Sequence, residues 1–170
     1  DRIRAWSLAT ETAWRFSQAP LTPRIRMRAN IASGDRDPSD DRLGTFNALF
    51  PKGKYFGELS PIGPRNIVNL HPSVDFDLGK GVTMDLVAAR FWRESRGDGI
   101  YDPPGQLLRA AGTSRARHIG DQAEISAAWQ ASDTLSLSAS LSAFRPGAFI
   151  RETGPGRTIR MVGAEAMLKY

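Results

Sequence analysis

Between residues 135 and 143 the chain reads LSLSASLSA, with Leu135, Leu137, Ala139, Leu141 and Ala143 alternating with four serines. An extended chain sends successive side chains to opposite faces, so this stretch has one apolar face and one hydroxyl face. Six other segments alternate in the same manner. Residues 3–16 set Trp6, Leu8, Trp14 and Phe16 against Ser7, Glu11 and Arg15; residues 24–32 set Ile25, Met27, Ala29 and Ile31 against Arg24, Arg26, Arg28 and Asn30. Residues 67–78 oppose Val68, Leu70, Val74, Phe76 and Leu78 to Asn69, His71, Ser73, Asp75 and Asp77. Residues 82–94 oppose Val82, Met84, Leu86 and Ala88 to Thr83, Asp85 and Arg93, and blur around Val87, Arg90 and Phe91. Residues 118–130 group Ile119, Ala123, Ile125, Ala127 and Trp129 opposite Gln122, Glu124, Ser126 and Gln130. Residues 158–170 group Val162, Ala164, Ala166, Leu168 and Tyr170 opposite Glu165 and Lys169. Seven strands are predicted, with a bulge at Pro72, which has no N–H to give a ladder.

Such alternation fits a soluble sandwich with serines in water, or a membrane barrel with its apolar face in lipid. Link length separates the two. The links 17–23, 79–81 (GKG) and 131–134 are short, whereas 33–66, 95–117 and 145–157 are long. Short and long links in strict alternation are the habit of outer-membrane barrels, with short periplasmic turns and long outer loops. The segments are also long enough for a tilted crossing, at about 11–13 residues against about 5–6 for soluble strands. Trp14, Phe16, Trp129 and Tyr170 fall at the short-turn ends and Trp6 and Trp92 at the opposite ends, as aromatic girdles do. The expected fold is all-β: an antiparallel transmembrane β-barrel in a bacterial outer membrane, with the serine face toward the lumen.

Composition narrows the chemistry. The 170 residues carry 23 Lys and Arg against 18 Asp and Glu, a net charge of +5, which suits an anionic partner. A soluble basic β-protein binding nucleic acid would put its aromatics on the arginine faces, and here they mostly take the apolar parity, so no nucleic acid is expected. With no cysteine there are no disulfides or thiolate metal sites. No apolar run reaches the roughly 18 residues of a spanning helix. The chain starts at Asp1 without a signal-like segment, so residues are expected to precede it.

Arg24, Arg26 and Arg28 share one face of one strand at spacings of roughly 7 Å. Such a ladder either hands carboxylates from site to site or is a structural ladder neutralised by acids of neighbouring strands. The GKG turn implies pairing of residue 77 with 83 and of 75 with 85. Asp75 and Asp85 would then lie side by side and need a nearby cation. Asn69 and His71 occupy the same polar parity, and His71 and His118 lack a third ligand of suitable spacing for zinc. Asp35, Asp37, Asp40 and Asp41 cluster in the first long link, which lacks the glycine and glutamate of an EF-hand. The RGD at 96–98 reads as coincidence, and no nucleophile elbow or phosphate cradle occurs. No enzyme activity, metal or cofactor is implied.

SGDRDPSDDRLGTFNALFPKGKYFGELSPIGPRNIVNLHPS (33–73) is followed by FWRESRGDGIYDPPGQLLR (91–109), ARHIGDQAEISAAWQ (116–130) and GAFIRETGPG (147–156). This ordered string, over roughly residues 24–170, resembles the alginate export family of outer-membrane porins. The resemblance implies a wide barrel of about eighteen strands, of which residues 1–170 would be the C-terminal part within a single domain. It further implies passage of an anionic polysaccharide through an arginine-rich constriction. Arg24, Arg26, Arg28 and Arg93 would attract carboxylates, while Asp75, Asp77 and Asp85 orient the arginines and Asn69 and His71 complete the wall. A general or sugar-acid uptake porin on the same scaffold is the alternative. Outer-membrane lipid, lipopolysaccharide and, through the strand ending at Tyr170, the barrel assembly machinery are the expected partners. Asp121 and Arg145 depart from the pattern, lying on the lipid parity near the outer rim.

Overall fold

The computed structural model describes residues 2–50 and 53–170, so Lys52, expected in an outer link, lies outside the described residues. The elements in chain order are β1 (Arg2–Ile3), β2 (Ser7–Arg15), β3 (Arg24–Ala32), β4 (Arg42–Leu43), β5 (Ile67–Gly79) and β6 (Val82–Trp92). Next come β7 (Ile100–Tyr101), β8 (Leu107–Arg109), β9 (His118–Gln130), β10 (Leu135–Pro146), α1 (Ala148–Glu152) and β11 (Ile159–Leu168). Seven of these build one antiparallel sheet in the order β11-β10-β9-β6-β5-β3-β2, each long strand beside its neighbour in the chain. The seven alternating segments of the sequence are these seven strands.

The pairings expected from the GKG turn are present: Asp77 lies opposite Thr83 and Asp75 opposite Asp85. Gly79, Lys80 and Gly81 all have positive φ, at 79°, 53° and 75°. Two flanking glycines adopt that region without steric cost, which is why so short a link closes here. The bulge is not at Pro72. The ladder from β5 to β6 lapses at His71 and Pro72 but resumes in the same register, and the shift comes at Asp77 and Gly79 instead. A missing N–H removes a hydrogen bond without inserting a residue.

Register carries the two faces across all seven strands. Leu8, Ile25, Leu70, Leu86, Ile125, Leu141 and Val162 all lie on one face, and all are exposed. Val162 is 79% and Leu168 71% exposed. An apolar face this wide far exceeds the few hundred Å² that a soluble monomer tolerates. Water is the wrong solvent for it.

The opposite face is polar along most of its height, and its end at the long links carries the core. There Phe56, Phe91, Ile119, Phe144, Phe149 and Ile67 pack together. Phe56 meets Phe91 edge-on, with centroids 5.2 Å apart, and Phe91 lies 6.2 Å from Phe144. Phe91, blurred in the pattern, thus belongs to the polar parity. Ile119, grouped above with the apolar face, is fully buried in this core. The register between β6 and β9 shifts between Phe91 and Trp92, leaving Ile119 as the extra residue and turning it off the apolar face. Beside it Gly120 makes room, for a Cβ there would come within 2.4 Å of the Phe144 ring.

The long links are ordered by polar knots. Asn66, fully buried with φ 47°, donates to the carbonyls of Ser95 and Gly99 and accepts from the Ser95 N–H. Asp98 of the RGD is buried too. It accepts from the Asp35 N–H, the Thr45 hydroxyl, the Gly99 N–H and the Tyr101 hydroxyl. Burial, and then this hydrogen bond to Asp98, push the Tyr101 hydroxyl up to about 12. The acidic link residues are spent on turns: Asp35 caps the Asp37 N–H, Asp37 the Ser39 N–H and Asp40 the Arg42 N–H. Among the described residues no group of three or more His, Asp or Glu is arranged to hold a metal.

Candidate substrate pathway

Three rows of side chains cross the polar face, each set by backbone register. One runs Arg15, Arg24, Asp75, Asp85, Ser126, Ser140 and Gly163 across the seven strands. The next row contains Arg26, Ser73, Val87, Glu124 and Ser142. The third contains Glu11, Arg28 and His71 on β2, β3 and β5. Strand β3 sits between two strands that carry acids, and all three of its arginines are ion-paired. Arg24 Nε lies 3.2 Å from Asp75 Oδ1; an Arg26 terminal nitrogen lies 2.9 Å from the same oxygen and 3.4 Å from Asp85. Arg26 thus bridges the two neighbouring carboxylates. Arg28 grips Glu11 with two nitrogens, at 3.0 and 2.8 Å.

The expected residues do not all share this surface. Arg24, Arg26, Asp75, Asp77 and Asp85, with Arg15 and Thr83, line an open cavity of about 360 Å³. Arg26, Arg28 and His71 line a second of about 170 Å³ together with Lys54 and Tyr55. Asp77, however, pairs with no arginine among the described residues: its carboxylate accepts the Gly79 N–H and caps the turn. Asn69 is wholly buried beneath the core, receiving a hydrogen bond from Asn30. Arg93 stands apart altogether. Its guanidinium is enclosed, stacked 3.9 Å over the Phe149 ring, and donates to the carbonyls of Ala116, Arg96, Asp98 and Ser114. Burial, the largest influence, lowers its pKa. Arg93 fastens the second long link and has no donor left for a solute.

Other features of the face were missed by the pattern. Glu11 takes the polar parity, but alternation names no partner for it; register supplies Arg28. Part of the first long link folds back onto the sheet: the Phe56 carbonyl accepts from Gln122, and the Glu58 N–H donates to Glu124. Phe56 is the anchor of that segment, and Lys54 and Tyr55 are delivered by it. The far side of the face is acidic, where Glu58, Glu124 and Glu165 join the serines of β9 and β10 around a cavity of about 210 Å³. Basic and acidic flanks thus divide one surface.

An antiparallel sheet with an unshielded apolar face, a charged opposite face and long links at one end is the wall of an outer-membrane type β-barrel channel. The model of the alginate export family matches residues 1–164 of the 170, and the chain belongs to that family. The family consists of outer-membrane porins that transport rather than catalyse. No curated protein matches the chain significantly.

Proposed function

We propose that residues 1–170 form the C-terminal part of one larger closed barrel that passes an alginate-like polyuronate across the bacterial outer membrane. The observation that carries this reading is the basic strip of β2 and β3 facing open cavities on the polar side of a sheet whose other side is apolar. Arg15, Arg24, Arg26 and Arg28 meet Glu11, Asp75, Asp77 and Asp85, so cations and carboxylates alternate in equal number along the strip, and Lys54 at its edge is paired with Glu58. A conducting site has to bind weakly enough to release, and interleaved carboxylates make the wells shallow. Arginine suits the task because its fork matches a carboxylate and its charge does not titrate away. The acidic flank at Glu124 and Glu165 repels a polyanion and holds it to the arginine strip, while Glu58 beside them is paired with Lys54.

Current block by oligouronates in the complete barrel, reconstituted in a planar bilayer, tests this. Arg24→Gln/Arg26→Gln/Arg28→Gln is expected to weaken block severalfold. Block retained by that variant would leave the ladder structural. Block of the wild type by monomeric sugar acids but not by oligouronates would favour the uptake porin.

A further inference from the structure

We infer that the apolar face of β9, β10 and β11 holds a phosphorylated lipid, its phosphate on Arg145 and Arg160 and an acyl chain in a trough beside them. The inference rests on the outer-membrane reading, which puts this face in lipid and the long-link end at the outer leaflet. The trough is a groove of about 450 Å³ lined by Ala123, Ile125, Leu141, Ala143, Val162 and, at one end, Arg160. Ala143 and Ala123 lie opposite one another across β10 and β9, and the larger Leu141, Ile125 and Val162 form the next row. Two alanines side by side leave a depression that their neighbours wall.

The charge sits at the long-link end of this groove. Arg160 is opposite Ala143, and Arg145 lies two residues farther along β10, so the two arginines are diagonal neighbours about 7–8 Å apart at the backbone. Arg145 is opposite Asp121, and Asp121 is opposite Arg90. Asp121 is already committed: Arg90 Nε donates to it at 2.5 Å, and His118 Nε2 lies 3.4 Å from its other oxygen. Arg145 and Arg160 are exposed and have no ion pair among the described residues. An arginine on the lipid face costs about 2–4 kcal/mol at the bilayer midplane and about 0–1 near the interface, so this cluster marks headgroup level. Three cations against one carboxylate call for an anion, and a headgroup phosphate takes paired arginine forks at full charge. An apolar depression directly beside that anion site, walled on its midplane side by Leu141, Ile125 and Val162, fits the start of the chain attached to the phosphate. The occupant is the phosphorylated glycolipid of the outer leaflet.

Native mass spectrometry of the complete barrel in detergent, titrated with bisphosphorylated lipid A and with its dephosphorylated form, tests the site. The wild type is expected to prefer the phosphorylated form by roughly tenfold or more. Arg145→Gln/Arg160→Gln should abolish that preference, and Ala143→Leu, which fills the trough, should weaken both forms. Equal binding of the two forms by the wild type, or an unchanged preference in the arginine variant, would overturn the inference. Should the double variant not assemble, the wild-type titrations and Arg160→Gln alone decide by the same criteria. Oligouronate block on the same preparations separates the two claims: lipid preference without block sinks the channel reading, and block without preference sinks the lipid site.

Discussion

At the scale of single residues, parity decides cost. Leu141 lies on the apolar face between Ile125 and Val162 and is exposed there. Leu141→Arg is expected to destabilise the complete barrel by about 2–4 kcal/mol in chemical unfolding from lipid vesicles. Ser138 faces the other way, beside Glu165 and within reach of the acidic flank, so Ser138→Arg should shift unfolding far less. Equal shifts would mean that the lipid face is misassigned. Tyr101 gives a pH dependence with a definite sign. Its hydroxyl is held up to about 12 from 10.0, so the stabilisation is whole below pH 10 and is lost as pH rises through 12. Hydrogen-exchange protection in the long links, taken relative to the base-catalysed intrinsic rate, should fall over that window in the wild type and much less in Tyr101→Phe; identical profiles would remove Tyr101 from the knot. Arg93 serves as the other knot. Arg93→Lys cannot reach four carbonyls from one ammonium, so the link 93–117 is expected to become protease-sensitive while the strands hold.

At the scale of elements, strands were legible in the sequence because alternation is a local property with period two. The residues 24–32 and 67–78 needed nothing beyond parity, and a two-glycine turn was enough to pair Asp75 with Asp85. What stayed hidden depends on contacts distant in sequence. Glu11 meets Arg28 only because β2 and β3 pair in one register, and Lys54 reaches the arginines only because Phe56 docks on Phe91. Arg93 looked like a wall residue because the last turn of alternation extends to it, yet the chain leaves the sheet at Trp92. Link placement is open to direct test. Ser39 is exposed in the first long link, and Lys80 sits in the tightest turn. With Ser39→Cys and Lys80→Cys, an impermeant thiol reagent on intact cells should label the first and spare the second. The opposite result would invert the topology.

At the scale of the whole molecule, the sheet has two open edges. Strands β2 and β11 each have one neighbour among the described residues, and β2 is exposed along its entire length. Unpaired edges beside so large an apolar face invite aggregation, so residues 1–170 expressed alone are expected to form no heat-modifiable monomer in detergent. On the reading proposed above, the apolar face sits in lipid and the charged face lines the water-filled side. On that reading this charged face sets what passes. The most direct measurement is the reversal potential of the complete barrel in a planar bilayer under a KCl gradient. The wild type is expected to prefer anions, and Arg24→Gln/Arg26→Gln/Arg28→Gln, in which Asp75, Asp85 and Glu11 lose their partners, to shift toward cations. A reversal potential that does not move, in a variant that still assembles, would contradict it.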